Sequence, residues 1–291
     1  MVPELFTLPG LGWTITPYGL GMTLALVVSW LTALLLARRD RLPTEALGTV
    51  FVLAAIAGLL AARVSFVVQE GQPLELAAIR SLPAGGLAVF GGLFAALLVT
   101  LIGCRRWRVP TIAWLDCIAP AVVLGGIFER VGAFLAGADF GTYVAPGEFG
   151  QALAVRYPPG SPAYILHGAT LQGLPGVSET GSAPVHPVQL YIAATCALAL
   201  IVGLVVRRRR RFSGQVFLAV AAIFLLGRAV LCEPLRFGAS PEVLGPLRLQ
   251  QVSGVGLLIA VAIAAQMLAG QAARRADGLR LWEGGPWSPK A

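Results

Sequence analysis

Seven mostly apolar stretches, most of them near 20 residues long, limit what this chain can fold into more than any other feature. A helix needs about 20 apolar residues to cross the hydrocarbon core of a bilayer. Inside that core the backbone must satisfy its own hydrogen bonds, which favours helices. The sequence therefore predicts an all-α integral membrane protein with seven transmembrane helices. The runs are Tyr18–Ala37, Leu47–Val68, Leu87–Gly103, Ile112–Gly137, Val188–Val206, Gln215–Cys232 and Val252–Ala269.

The composition excludes an ordinary soluble domain. Hydrophobic residues make up 57% of the chain and charged residues only 12%, against about 45–50% and 25% in soluble proteins. The net charge of +8 would suggest nucleic acid in a soluble protein. Here the basic residues form short clusters between apolar runs, so membrane topology explains them better, and no nucleic-acid partner is expected.

The positions of the arginine clusters predict the orientation. Clusters follow the first, third, fifth and seventh runs, and Lys/Arg-rich loops stay in the cytoplasm. We therefore expect a multi-pass protein of the bacterial inner membrane with an external N-terminus and a cytoplasmic C-terminus. Residues 1–273 form the predicted membrane domain, 138–187 its irregular external head region between helices 4 and 5, and 274–291 a cytoplasmic polar tail. The clusters lie within residues 38–41, 105–108, 207–211 and 274–280.

The four cysteines carry no sign of a metal site or a disulfide. They lie within or at the edge of apolar runs, and none has metal-ligand spacing. We expect small buried thiols, no disulfide and no bound metal. They are Cys104, Cys117, Cys196 and Cys232.

Charged residues inside the predicted spans point to a functional site. Arg63, Arg130 and Arg228 each lie roughly 14–18 residues into a run that starts on the cytoplasmic side. At 1.5 Å per residue, all three reach the outer third of the bilayer. A charged residue within a span is costly and usually has a partner or a function.

Two interpretations of these arginines are open. Each could simply extend its side chain to the outer headgroups. However, three guanidinium groups at one depth, with Glu129 and Glu233 beside them, fit a phosphate, because a planar guanidinium binds phosphate oxygens bidentately. The charges favour a site for the head of an anionic phospholipid in the outer leaflet.

Several short motifs occur in a fixed order along the chain. They include an opening Pro-Tyr-Gly-Leu, two glycine pairs around Phe90, an Arg-Val-Gly-Ala-Phe segment followed by Gly137 and Gly141, and His-Pro-Val-Gln-Leu-Tyr. The motif residues are 17–20, 85–93, 116–120, 130–134, 186–191, Glu233 with Arg236, and Gln251.

In this order the motifs resemble those of the prolipoprotein diacylglyceryl transferase family over nearly the whole chain. The resemblance implies a seven-helix enzyme that needs neither cofactor nor metal. Members move an sn-1,2-diacylglyceryl group from phosphatidylglycerol to the lipobox cysteine of a lipoprotein precursor, forming a thioether and releasing glycerol phosphate. The implied partners are phosphatidylglycerol, lipoprotein precursor peptides and membrane lipid.

The resemblance and the charge pattern together give the expected site. Arg130 matches the signature arginine and is expected to bind the phosphate, and Glu233 and His186 are the other expected catalytic residues. The base that takes the thiol proton is left open among His186, Glu233 and Glu129. The expected substrate-binding residues are Arg63, Arg228, Arg236, Tyr18, Gly141, Gln189 and Tyr191.

The sequence departs from the family pattern at several polar positions. Phe90 replaces a His or Tyr, Ala133 replaces an Asn, and Ala138 replaces a Glu, with Asp139 one residue on. Arg228 lies five residues before Glu233, where the family has four. Two alternatives therefore stay open: a related lipid transferase with another donor or acceptor, and an inactive phospholipid-binding protein on the same fold.

Overall fold

The computed structural model describes residues 5–7, 14–69, 71, 73, 75, 89–170, 181–238 and 242–274. This part of the chain is almost entirely helical. Two short antiparallel hairpins pair Phe6–Thr7 (β1) with Thr14–Ile15 (β2), and Glu242–Leu244 (β3) with Leu247–Arg248 (β4). The α-helices are Pro17–Arg39 (α1), Thr44–Gln69 (α2), Val89–Arg106 (α3), Thr111–Ala136 (α4), Pro162–Thr170 (α5), Val188–Arg209 (α6), Gln215–Leu225 (α7) and Leu249–Arg274 (α8).

Six of these helical segments are long and apolar enough to cross a membrane, which confirms an all-α membrane fold. They correspond to every predicted run except the third. The third run coincides largely with α3, but its first two residues lie outside the described part of the chain, as does most of the predicted tail. The six segments are Pro17–Arg39, Thr44–Gln69, Thr111–Ala136, Val188–Arg209, Gln215–Leu235 and Leu249–Gly270.

Small residues let the helices pack closely. A Cβ added to Gly21 of α1 would lie 2.9 Å from the Cα of Gly132 on α4. Likewise, a Cβ on Gly92 of α3 would lie 2.9 Å from the carbonyl oxygen of Gly58 on α2. Close approach of this kind is the usual basis of helix association in a bilayer. The helix α4 contacts α1, α6 and α7 and is therefore the centre of the bundle.

Two buried aspartates tie together one end of the bundle. Asp116 of α4 accepts hydrogen bonds from the backbone N–H groups of Gly214 (2.7 Å) and Phe217 (2.8 Å) at the start of α7, which makes it the N-terminal cap of that helix. Asp40, just after α1, accepts from Arg207 at 2.7 Å and bidentately from Arg210 at 2.9 and 3.0 Å. This end is fixed by ion pairs, and the candidate site lies at the other end.

The sixth predicted helix changes form before its end. The α-helix stops at Leu225, and residues Leu226–Leu231 form a π-helical turn in which Cys232 N–H donates to the Gly227 carbonyl at 2.9 Å. A short 3₁₀ turn, Glu233–Leu235, follows. The predicted span over Gln215–Cys232 is therefore confirmed, with a π-helical turn in place of the α-helix after Leu225.

The sequence predicted an irregular segment between α4 and α6, but this segment contains the helix α5. Single β-bridges join Val185 to Tyr143 and to Val155. Beneath them lies a small apolar core built around Phe140, Tyr157 and Val185. Residues 171–180 of this segment lie outside the described residues.

Candidate active site

The C-terminal end of α4 carries the first part of an ion network. The Arg130 guanidinium donates from Nε and Nη2 to the Glu129 carboxylate, the second bond being 2.6 Å, and from Nη1 to Oδ2 of Asp139. Asp139 lies just beyond the helix, after the left-handed cap at Gly137. The signature arginine therefore sits between two carboxylates.

The network continues from Asp139 into the segment after α7. Arg236 donates from Nη2 to Oδ1 of Asp139 at 2.7 Å and from Nη1 to Oε2 of Glu233 at 3.2 Å. Arg228 donates to the same Glu233 oxygen at 2.9 Å and to Gln250 of α8 at 3.4 Å. Residues of α4, of the turns after α7 and of α8 thus form one network, and the structure brings together Arg130, Arg228, Arg236 and Glu233.

The network is balanced in charge and largely withdrawn from solvent, with its side chains 0–25% exposed. Three guanidinium groups face three carboxylates, and the Glu233 side chain is 0% exposed. Charges withdrawn from water are stable only when they are paired. Preorganised arginines in such a place suit an oxyanion better than a neutral group.

The π-helical turn explains why Arg228 is displaced by one residue from the family spacing. In a π-helix the backbone hydrogen bonds join residues i and i+5, so side chains five residues apart lie on the same face of the turn. Arg228 and Glu233, five apart, therefore meet at 2.9 Å, as residues four apart do in an α-helix. The departure in the sequence is compensated in the structure.

A stacked pair of phenylalanines holds the two loop segments of the network together. The Phe140 and Phe237 rings have centroids 5.0 Å apart with a 25° angle between their planes. The Phe237 N–H donates to the Phe140 carbonyl at 3.1 Å, and Thr142 N–H to the Leu235 carbonyl at 2.8 Å. Their chain neighbours Asp139 and Arg236 are thereby placed side by side.

Asp139 is the member of the network that sequence reasoning noted only as a neighbour of Ala138. Its backbone has φ +53°, in the left-handed region that non-glycine residues seldom adopt. Burial alone disfavours its carboxylate, but the charges of Arg130 and Arg236 outweigh burial and hold the pKa of Asp139 well below its ordinary value. No local motif signals this role, because Arg236 is 97 residues away in the sequence.

Tyr18 approaches the ion network from α1, whereas Arg63 contacts a phenylalanine of its own helix, α2. Tyr18, in the first turn of α1, lies close enough to Glu129, Arg130 and Asp139 to interact with their charges. Arg63 of α2 is buried, 4% exposed, and its guanidinium carbon lies 5.4 Å from the centre of the Phe66 ring. Their roles in substrate binding remain predictions.

His186 belongs to a second, smaller cluster at the start of α6. Its Nδ1 lies 3.4 Å from the Tyr191 hydroxyl, and its ring packs so closely on Gly150 that a Cβ there would lie 2.9 Å from Nδ1. Gly141 N–H donates to the His186 carbonyl at 3.0 Å. Burial lowers the pKa of His186, while the charge of Glu148 acts in the opposite direction. This imidazole is therefore predominantly neutral near pH 7.

Gln189 connects α6 to the end of α4. Its Nε2 donates to the Ala138 carbonyl at 2.7 Å and to the Tyr157 hydroxyl at 2.9 Å. Burial raises the pKa of Tyr157 to about 12, although the bond to Gln189 acts to lower it. Tyr157 escaped the sequence analysis because no charge or motif accompanies it. These bonds fix the backbone directly before Asp139.

Two of the positions at which the sequence departs from the family pattern lie on described helices. Ala133 is fully buried on α4, and Phe90 is half-buried in the first turn of α3. Of the three candidate bases, Glu129 and Glu233 are paired with arginines, and His186 lies in the second cluster. All four cysteines are buried free thiols.

Comparison with known proteins identifies the family of this chain. The sequence model described as prolipoprotein diacylglyceryl transferase matches residues 3–267. A protein of Finegoldia magna named phosphatidylglycerol–prolipoprotein diacylglyceryl transferase is 24% identical over 84% of this chain and 87% of its own. One of the same name from Ligilactobacillus salivarius is 27% identical over 85% and 86%. A third, from Rhodopirellula baltica, is 31% identical over 58% and 36%.

These relatives are bacterial, and the long apolar helices are those of a multi-pass membrane protein. The match spans nearly the whole chain and includes every residue of the ion network. The chain belongs to the prolipoprotein diacylglyceryl transferase family.

Proposed function

We propose that this protein transfers the diacylglyceryl group of phosphatidylglycerol to the lipobox cysteine thiol of lipoprotein precursors and releases glycerol phosphate. The observation that carries the proposal is the pair of guanidinium groups, Arg130 and Arg236, directed at one carboxylate. Carboxylate and phosphate oxygens are bound by arginine in the same geometry. The family and the names of the relatives supply the reaction.

In this reaction the cysteine sulfur attacks the glyceryl carbon that carries the phosphate ester. The new S–C bond forms as the C–O bond to phosphate breaks, and the electron pair leaves with glycerol phosphate. Arg130 and Arg236 stabilise the negative charge that grows on the leaving group, which is the usual work of preorganised cations. The thiol proton passes to one of the candidate bases, His186, Glu233 or Glu129.

The remaining predicted site residues have supporting roles in this proposal. Arg63 and Arg228 set the positive potential around the headgroup, and Tyr18 contacts it from α1. Gly141, Gln189 and Tyr191 shape the backbone and the polar wall beside the lipid. These groups are expected at a common depth within the bilayer, which favours entry of lipid and peptide from the membrane.

We further propose seven spans, with α3 as the third, an external N-terminus and a cytoplasmic C-terminus. Under this topology the ion network faces the outer leaflet, and residues 138–187 form the external head region. The tail after residue 273 lies in the cytoplasm. Reporter fusions after Arg211 should report a cytoplasmic location, and fusions near Gly160 an external one. The reverse result at either position would overturn the topology.

Complementation tests the proposed activity in cells. A bacterial strain depleted of its own prolipoprotein diacylglyceryl transferase should grow when this protein is produced, and should not grow with Arg130→Ala at the same membrane level. A binding-only protein on the same fold is the second candidate, favoured by Phe90 and Ala133, where the family has polar residues. Failure of the wild type, present at normal level in the membrane, would favour that candidate.

A further inference from the structure

We infer that Asp139 is an exchangeable internal counter-ion: it occupies the binding position between Arg130 and Arg236 until the phosphate of the substrate displaces it. The inference rests on the proposed function only in taking the displacing anion to be a phospholipid phosphate.

The contacts of Asp139 resemble those of a bound oxyanion. Its Oδ2 accepts from Nη1 of Arg130, and its Oδ1 accepts from Nη2 of Arg236 at 2.7 Å. Each oxygen therefore serves a different guanidinium group. A phosphate offers at least two such oxygens, so it can replace the carboxylate without moving either arginine far.

Asp139 is also the carboxylate in the network that can leave most readily. Its side chain is 25% exposed, whereas those of Glu129 and Glu233 are 12% and 0% exposed. Glu233 accepts from both Arg228 and Arg236 beneath it. Displacement of Asp139 alone leaves every other ion pair in the network intact.

The backbone around Asp139 is held independently of its side chain. Gln189 donates to the Ala138 carbonyl on one side, and the Phe237 N–H donates to the Phe140 carbonyl on the other. The carboxylate can therefore turn away by rotation of the side chain alone, without a change in the backbone.

The balance of charges favours a phosphate that replaces the Asp139 carboxylate over a phosphate that binds in addition to it. The three arginines already face three carboxylates, so an added phosphate would place excess negative charge in a buried site, which is costly. When Asp139 turns to solvent, the phosphate takes its place with little change in buried charge. In addition, the buried Nε of Arg236 has no hydrogen-bond partner among the described residues, which leaves a donor for a third phosphate oxygen.

The test measures binding of sn-glycerol phosphate to the purified full-length protein in detergent, by isothermal titration calorimetry. Asp139→Asn and Asp139→Gly remove the competing carboxylate, and both residue types tolerate a positive φ, so both variants should fold. We expect each to bind glycerol phosphate about tenfold more tightly than the wild type, which corresponds to a site that is open in about one wild-type molecule in ten. Glu242→Gln, on the exposed β3 strand, is the matched control and should bind as the wild type does.

Each alternative outcome is decisive. Equal or weaker binding by both folded variants would show that Asp139 only positions the arginines, and would overturn the inference. Absence of binding by all the proteins would overturn it as well. Tighter binding by the variants, in a protein that transfers no diacylglyceryl group, would uphold the counter-ion while rejecting the proposed transfer. The counter-ion inference and the proposed transfer can therefore be rejected independently.

Discussion

The guanidinium group of Arg228 donates a 2.9 Å hydrogen bond to the carboxylate of Glu233, five residues further along the chain. The π-helical turn Leu226–Leu231 makes this pairing possible. Such turns occur mostly as single wide turns within α-helices, frequently at functional sites. The five-residue spacing is therefore compatible with a buried ion pair.

Replacement of Arg228 by Ala should lower transfer at least tenfold. Glu233 is wholly buried and would lose the nearer of these two arginines while keeping Arg236 at 3.2 Å, so the carboxylate would draw more strongly on a cation that the phosphate needs. Loss of one partner from a buried pair costs about 3–5 kcal/mol, and the thermal unfolding midpoint should fall as well. Arg209→Ala, at an exposed position at the end of α6, is the control and should change neither quantity.

Two replacements of Arg130 should distinguish the need for a positive charge from the need for a planar guanidinium group. Arg130→Ala should abolish transfer, and Arg130→Lys should restore little, because an ammonium group cannot bridge Glu129 and Asp139 as the planar guanidinium does. Initial rates with phosphatidylglycerol and a lipobox peptide measure this, and size-exclusion chromatography confirms the fold. Wild-type rates in the Ala variant would remove Arg130 from the mechanism.

The stability of the protein should fall between about pH 7 and pH 5.5 because of His186. In the unfolded chain a histidine titrates near 6.5, whereas burial lowers the pKa of His186 in the fold, against the opposing charge of Glu148. The stability linked to this residue is complete above pH 6.5 and is lost as the pH falls through the unfolded value towards the lower folded value. Thermal unfolding across this range should show a smaller decline for His186→Gln than for the wild type.

Asp139 titrates in a separate window. Its pKa is depressed by Arg130 and Arg236 against the opposing effect of burial, so its contribution to stability is present above about pH 4 and is lost only in stronger acid.

For the His186 prediction, identical pH profiles of the wild type and the His186→Gln variant from pH 7.5 to 5.5 would contradict the burial of a neutral imidazole.

Much of the helical frame is predictable because bilayer thickness imposes it. Apolar length identified six segments that the structure confirms, with ends that differ by a few residues, as between Tyr18–Ala37 and Pro17–Arg39. The predicted depth of charged residues within the bilayer also placed Arg130, Arg228 and Glu233 in one site. Both arguments depend only on local periodicity and on the physics of charge in lipid.

The parts that could not be predicted depend on contacts distant in sequence. Asp139 meets Arg236 only because the Phe140 and Phe237 rings stack across two loops. In the π-helical turn, the buried Ala229 and Gly227 lie against Gly254 and Thr195 on neighbouring helices, contacts that the local sequence does not reveal. Tyr157, which holds Gln189 beneath the network, had no signal of its own.

The central claim is that this protein forms a thioether between a diacylglyceryl group and a lipobox cysteine. The direct measurement uses the purified protein with phosphatidylglycerol vesicles and a lipobox peptide, followed by mass spectrometry of the peptide and assay of free glycerol phosphate. We predict that the peptide gains one diacylglyceryl group per glycerol phosphate released, and that a Cys-to-Ser peptide and the Arg130→Ala protein give neither product. An unmodified peptide and no glycerol phosphate from the folded wild-type protein would contradict the account.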